Sequence, residues 1–260
     1  MNWIEALILG LVQGLTEFLP VSSSGHLEIG KYLLNIDVHE SLAFSIAVHG
    51  ATVLSTIIIF WKEIVILFKS FFSFKKSKET DFVLKIMVSM IPVGVVGVFF
   101  SAQVESLFNG NIKMVGGMLL VTASLLAVTK LAPVRNKTIS YFDAFVIGIA
   151  QAFAVIPGVS RSGATIATGL LLGNNRTEVA RFSFLMVILP ILAANALEIV
   201  SGDFSQNSEI TLFPILVGFV AAFIAGLFAC RWMIHIVQRG NLFYFALYCL
   251  IIGLIAIIFG

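Results

Sequence analysis

A chain of 260 residues in which 59 % are hydrophobic and only 12 % charged cannot be a soluble globular domain, where charged residues make up roughly a quarter. Its 16 basic and 14 acidic side chains leave a formal net charge of +2, and its mean hydropathy is +1.03. Such a chain belongs in lipid, so polar clusters inside its apolar stretches are where chemistry is to be sought.

The first apolar stretch, Met1–Leu34, is interrupted by Gln13-Gly-Leu-Thr-Glu17-Phe-Leu-Pro20-Val-Ser22-Ser23-Ser24-Gly25-His26. Its arms are shorter than the roughly 20 residues that cross a bilayer, so residues 1–35 read as a re-entrant helix–loop–helix hairpin. Three spans follow, at Ser41–Trp61, Asp81–Gln103 and Ile112–Lys130. Tyr141–Leu172 then repeats the broken pattern, interrupted by Gln151-Ala-Phe-Ala-Val155-Ile-Pro157-Gly-Val-Ser160-Arg161-Ser162-Gly163-Ala164-Thr165. This second hairpin, 141–173, is followed by spans at Ala180–Val200, Thr211–Cys230 and Asn241–Phe259. The two interruptions align without a gap. Non-helical backbone at membrane depth must be buried in protein or line a wet cavity, which turns both loops inward.

The expected fold is therefore an all-α polytopic membrane protein in one integral membrane domain. Repeat 1 covers 1–131 and repeat 2 covers 141–260, each a re-entrant hairpin plus three transmembrane helices. Three crossings are an odd number, so the second half starts on the opposite side and the two halves form an inverted-topology repeat around a shared site. Basic residues from Lys62 through Arg135 to Arg239 fall on one side, with Lys31 and Lys113 on the other. By the positive-inside rule the rich side is cytoplasmic and both termini are outside. Lys75-Lys76-Ser-Lys78-Glu79 reads as a cytoplasmic loop. Met1-Asn-Trp-Ile-Glu5 lacks the basic start of a cleaved signal peptide and is expected at the interface. Cys230 and Cys249 read as small packing residues, and no Cys/His metal spacing is present.

In the first loop Gln13 and Glu17, four residues apart, share a helical face ahead of Pro20. A carboxylate at such depth costs about 2.5–3.5 kcal/mol, and something must offset it. Three roles fit Glu17: a divalent-cation ligand with Gln13 as a neutral oxygen donor, a general base, or an ion-pair partner for Arg161. Ser22, Ser23, Ser24 and Gly25 with the free N–H groups of the next helix make an anion cradle. His26 can move a proton near neutral pH, whereas His49, inside the first span, reads as a packing residue. In the second loop Arg161 stands between Ser160 and Ser162, ahead of Gly163 and Thr165, the combination that phosphate recognition requires. A phosphate clamp, a carboxylate and a nucleophile–base candidate together form a phosphoryl-transfer constellation inside a membrane.

At these residues the chain resembles the bacterial undecaprenyl-diphosphate phosphatases, the bacitracin-resistance proteins. Gln13 through His26 looks like their first signature and Pro157 through Thr165 is similar to the second; length and span pattern agree along the whole chain. The resemblance implies a multi-pass protein of the bacterial plasma membrane that cleaves the terminal phosphate from undecaprenyl diphosphate and returns the carrier lipid to cell-wall synthesis. It also implies a divalent cation, Mg2+ or Ca2+, and a site opening toward the outer face. The residues carried over are Glu17, Gln13, Ser23, His26, Arg161, Ser160 and Thr165. The departure is Gln13, where some members have Glu. The expected partner is a polyprenyl diphosphate lipid, with no nucleic acid, and a homodimer is left open.

On this reading Arg161 with Ser160, Ser162 and Thr165 holds the diphosphate, and Glu17 with Gln13 and the cation orients it. The nucleophile is either Ser23, activated by Glu17 or His26, or a water activated by the same groups. His26 is also placed to protonate the leaving lipid phosphate. Broken helices at the midplane are equally a transporter design, so a lipid-phosphate flippase or transporter is the rival reading. The acid-phosphatase type of lipid phosphatase is disfavoured, because no His follows Ser160-Arg161 and the Lys…Arg-Pro companion motif is missing.

Overall fold

The computed structural model describes residues 1–36, 42–73, 75–108, 110–133, 136–201, 212–239 and 242–260, with 42 and 197–201 as backbone alone. Ser41, Thr211 and Asn241, limits of three predicted spans, and Arg135 of the basic side lie outside the described residues. Among the described residues every regular element is a helix. The first hairpin is α1 (Trp3–Thr16) and α2 (Ser23–Leu33); α3 (Leu42–Ile59), α4 (Trp61–Phe72), α5 (Lys78–Phe99), the short α6 (Ser101–Glu105) and α7 (Ile112–Val128) follow. The second hairpin is α8 (Tyr141–Phe153) and α9 (Arg161–Leu171), after which come α10 (Arg176–Met186), α11 (Ile188–Ser201), α12 (Leu212–Arg239) and α13 (Phe243–Phe259).

Among the described residues, four helical stretches are long and apolar enough to cross a membrane: Lys78–Phe99, Ile112–Leu131, Arg176–Ala196 and Leu212–Arg239. The other two of the six expected crossings differ. The first is broken at Phe60, where Trp61–Phe72 leaves at 79° to Ala43–Ile59. Phe60 stays buried, its ring 6.3 Å from Phe184, while Lys62 and Glu63 begin α4 with charges that favour the interface over the hydrocarbon. Glu63 pairs with Arg181 of α10, which ties α4 to the bundle. The last crossing, α13, has 17 residues, about 25 Å at 1.5 Å per residue, just under the hydrocarbon thickness. The fifth runs longer than predicted, to Arg239, because Met233 and Val237 continue its buried face while Arg231, His235 and Arg239 face outward.

Each hairpin's first helix is packed closely against a long helix of the other half. On α1 the buried face is Ala6, Leu9, Gly10, Gln13 and Gly14, and it lies along α12. A Cβ on Gly14 would stand 2.5 Å from the Ala222 carbonyl oxygen, so a larger residue would push the helices apart. Likewise α8 lies along α5, with Gly148 against the Ser89 carbonyl. At the same time α7 lies along α13. The opposite face of α1 exposes Trp3, Ile4, Leu7, Ile8, Leu11 and Leu15, as a lipid-facing helix must. Asn2 and Glu5 form an exposed capping box at its start. Cys230 and Cys249 are both buried and free.

Candidate active site

The two hairpin tips are closed by the same local device. Ser22 Oγ accepts the Gly25 N–H at 3.2 Å and starts α2; Ser160 Oγ accepts the Gly163 N–H at 3.1 Å and starts α9. Each is an N-cap that satisfies one of the unpaired donors of a helix start. The second tip turns through Gly158 at φ 97°, where a Cβ would stand 2.5 Å from the Val115 carbonyl oxygen. Thr122 of α7 pins that turn, donating to the Gly158 carbonyl at 3.0 Å and accepting the Ser160 N–H at 2.9 Å. The tips then meet. A Cβ on Gly25 would lie 3.0 Å from Gly158 Cα, and Ser162 Oγ donates to the Leu19 carbonyl at 3.1 Å.

Glu17 is at the centre of this contact and only 7 % exposed. One carboxylate oxygen accepts from Gln13 Nε2 at 2.9 Å and from Ser23 Oγ at 2.6 Å. The other is paired with the Arg161 guanidinium, through Nη2. Three groups from both hairpins therefore converge on one carboxyl, and these bonds offset the cost of placing it in lipid. Two atoms of the cluster, Gln13 Oε1 and Arg161 Nη1, are buried without a hydrogen-bond partner. They offer a spare acceptor and a spare cationic donor beside the Ser23 hydroxyl.

The remaining predicted residues are placed unevenly. Ser24 Oγ is 3.4 Å from Ser22 Oγ, and Ser160 Oγ is 3.4 Å from Ser162 Oγ. Thr165 turns away from the Glu17–Arg161 pair; its hydroxyl bonds Ser183 of α10 at 2.6 Å and donates to the Arg161 carbonyl at 2.9 Å. The His26 ring bonds neither Ser23 nor Glu17: Nδ1 meets the Ser22 carbonyl at 2.8 Å and Nε2 meets the Tyr248 hydroxyl at 2.8 Å.

Sequence reasoning passed over Thr122, Ser183 and Tyr248, polar groups outside both loops and without a neighbouring motif to mark them. His49 donates its Nδ1–H to the Ser45 carbonyl at 2.8 Å, within its own helix.

Among the described residues no three His, Cys, Asp or Glu side chains form a metal-binding group. The donors at hand for a cation are the Glu17 carboxylate and the free Gln13 Oε1. That pair does not make a protein-only cage. It suits a cation that takes its other oxygens from phosphate and water, as Mg2+ commonly does.

Residues 6–255 match the family model described as Bacitracin resistance protein BacA. An undecaprenyl-diphosphatase of Parabacteroides distasonis is 56 % identical over 261 residues, covering 99 % of this chain and 98 % of that protein. One from Bacteroides fragilis is 54 % identical over 262 residues, with 99 % and 98 % covered. A more distant relative of the same name, from Halothermothrix orenii, is 38 % identical over 261 residues, again covering 99 % and 98 %. With the match running through both hairpins, the chain belongs to the bacitracin resistance protein BacA family.

Proposed function

We propose that this protein is an integral membrane phosphatase that hydrolyses undecaprenyl diphosphate to undecaprenyl phosphate and phosphate, recycling the cell-wall carrier lipid and conferring bacitracin resistance. The relatives named undecaprenyl-diphosphatase support the substrate. The observation that carries the chemistry is the hydrogen bond of Ser23 Oγ to Glu17 Oε2, with Arg161 on the carboxylate's other oxygen. A hydroxyl bonded to a carboxylate is a nucleophile with its base in place. Arg161 beside it, with one guanidinium nitrogen spare, supplies fixed positive charge for the phosphoryl oxygens.

In this reading Arg161 Nη1 and the N–H groups at the start of α2 and α9 hold the terminal phosphate. Glu17 accepts the Ser23 proton as Ser23 Oγ bonds to phosphorus. The bond from phosphorus to the bridging oxygen breaks and undecaprenyl phosphate leaves. Water then attacks the phosphoserine, giving phosphate and free Ser23. His26 lies one helical turn from Ser23 and serves the proton that the leaving lipid phosphate takes up. A divalent cation held by Glu17 and Gln13 Oε1 would add positive charge on the diphosphate oxygens. Thr165 acts from behind, fixing the first turn of α9 through Ser183.

The inverted-topology repeat belongs to the same reading. It is supported by the reciprocal packing of α1 on α12 and α8 on α5, and by the packing of α7 on α13. The orientation with both termini outside rests on the distribution of basic residues, and the opening of the site toward the outer face rests on the family resemblance.

The test is phosphate release from a long-chain prenyl diphosphate by the detergent-purified protein, with Glu17→Ala, Arg161→Ala and a chelator arm beside wild type. Release that needs both side chains and a divalent ion is the expected result. A folded, monodisperse wild type that moves lipid phosphate across vesicles and releases none would contradict it.

A further inference from the structure

The first hairpin is held from outside by α13, a helix with no residue in either loop motif. Tyr248 of α13 places its hydroxyl 2.8 Å from His26 Nε2; the two rings are nearly parallel, 10° apart, with centroids 5.5 Å from each other. The next residue, Cys249, has its thiol 3.7 Å from the Pro20 carbonyl at the same tip. On the far side of the imidazole, Nδ1 is 2.8 Å from the Ser22 carbonyl. A carbonyl only accepts, so Nδ1 carries a hydrogen. The state of Nε2 then decides what Tyr248 does. When Nε2 is bare, the phenol donates to it; when Nε2 is protonated, it donates to the phenol oxygen. One arrangement serves both forms of the ring.

We propose that Tyr248 is a positioning residue of the phosphatase site: it fixes the His26 ring while that ring gains and loses a proton, and through His26 it steadies the Ser22 carbonyl one residue ahead of Ser23. Ser22 is where such support matters. It sits at φ 70°, a region that side-chain-bearing residues hold only when their surroundings impose it. A relaxed Ser22 would turn Ser23 Oγ away from Glu17. The proposal rests on the phosphatase reading above, with Ser23, Glu17 and His26 as its working groups.

The test compares kcat and KM for phosphate release in wild type, Tyr248→Phe, His26→Ala and the double variant, with Glu17→Ala as a control. Phe keeps the ring and its packing and removes only the hydroxyl. A positioning role predicts a kcat about tenfold lower with KM within about twofold. In the His26→Ala background, the further change from Tyr248→Phe should stay within about twofold, because the two act as one unit. An unchanged kcat in Tyr248→Phe, or the same loss repeated in the His26→Ala background, would overturn the proposal while an inactive Glu17→Ala left the site reading standing. Full activity of Glu17→Ala would overturn both.

Discussion

The first hairpin turns over Ser22 at φ 70° and the second over Gly158 at φ 97°, and each then starts its second helix with a serine bonded to the glycine three residues on. Four residues after Gln13 comes Glu17, and four residues after Gln151 comes Val155. That single difference decides what each amide does. Gln13 donates to Glu17 at 2.9 Å, whereas both amide atoms of Gln151 are buried without a partner. Proline, glycine and serine set the shape of each tip, while one or two positions set its charge. The first tip brings the carboxylate and the hydroxyl, the second brings the guanidinium, and neither alone makes a phosphoryl-transfer site.

The strongest way to break this comparison is to remove the group that only one hairpin supplies. Glu17→Ala and Arg161→Ala should each lower phosphate release by about 10^3-fold or more, in line with the loss of a preorganised charge at a reacting centre. Arg161→Ala should also lower the melting temperature, because the Glu17 carboxylate is left buried with its cation gone. Ser23→Ala should lower release by about 10^2- to 10^3-fold while the melting temperature stays close to wild type, since Gln13 and Arg161 remain on Glu17. A Ser23→Ala protein with undiminished turnover would move the nucleophile to water.

The two turns differ in what they tolerate. Gly158→Ala adds a Cβ at positive φ and against the Val115 carbonyl, and should cost about 2–3 kcal/mol. Ser22→Gly relieves a positive φ and removes one cap, terms that oppose each other, so its stability should stay within about 1 kcal/mol of wild type. Thermal unfolding in detergent separates the two outcomes. The smallest contrast is between the amides. Gln13→Leu should slow release by about tenfold by freeing Glu17 from one donor. Gln151→Leu, which removes two unsatisfied buried atoms, should leave release within about twofold and hold or raise the melting temperature.

Much of this site is written locally. Pro20 and Pro157 stop their helices, the serine and glycine runs start the next ones, and Glu17 and Arg161 are charges in lipid that need each other. The Glu17–Arg161 pair was one of three readings of the sequence, and packing brings those two groups into contact. The bend at Phe60 was harder to read, because Ser41–Trp61 contains no proline and no Asp, Glu, Lys or Arg, and only the charges after it hint at a change of direction. Tyr248 carries no local mark at all. It looks like one more aromatic on a lipid-facing helix, and its partner is 222 residues away in the chain. Gln151 looked equivalent to Gln13 by alignment, but an amide's role depends on what it can reach, and Val155 offers it nothing.

The claim that both hairpins form one site is tested most directly by phosphate release in a double-mutant cycle of Glu17→Gln and Arg161→Lys. These variants keep side-chain size and should retain measurable turnover. If carboxylate and guanidinium act as one unit across the two tips, the double variant will be no slower than the slower single variant within about twofold. If the two losses multiply, or if either variant alone turns over like wild type, the two hairpins do not share a site in the way described.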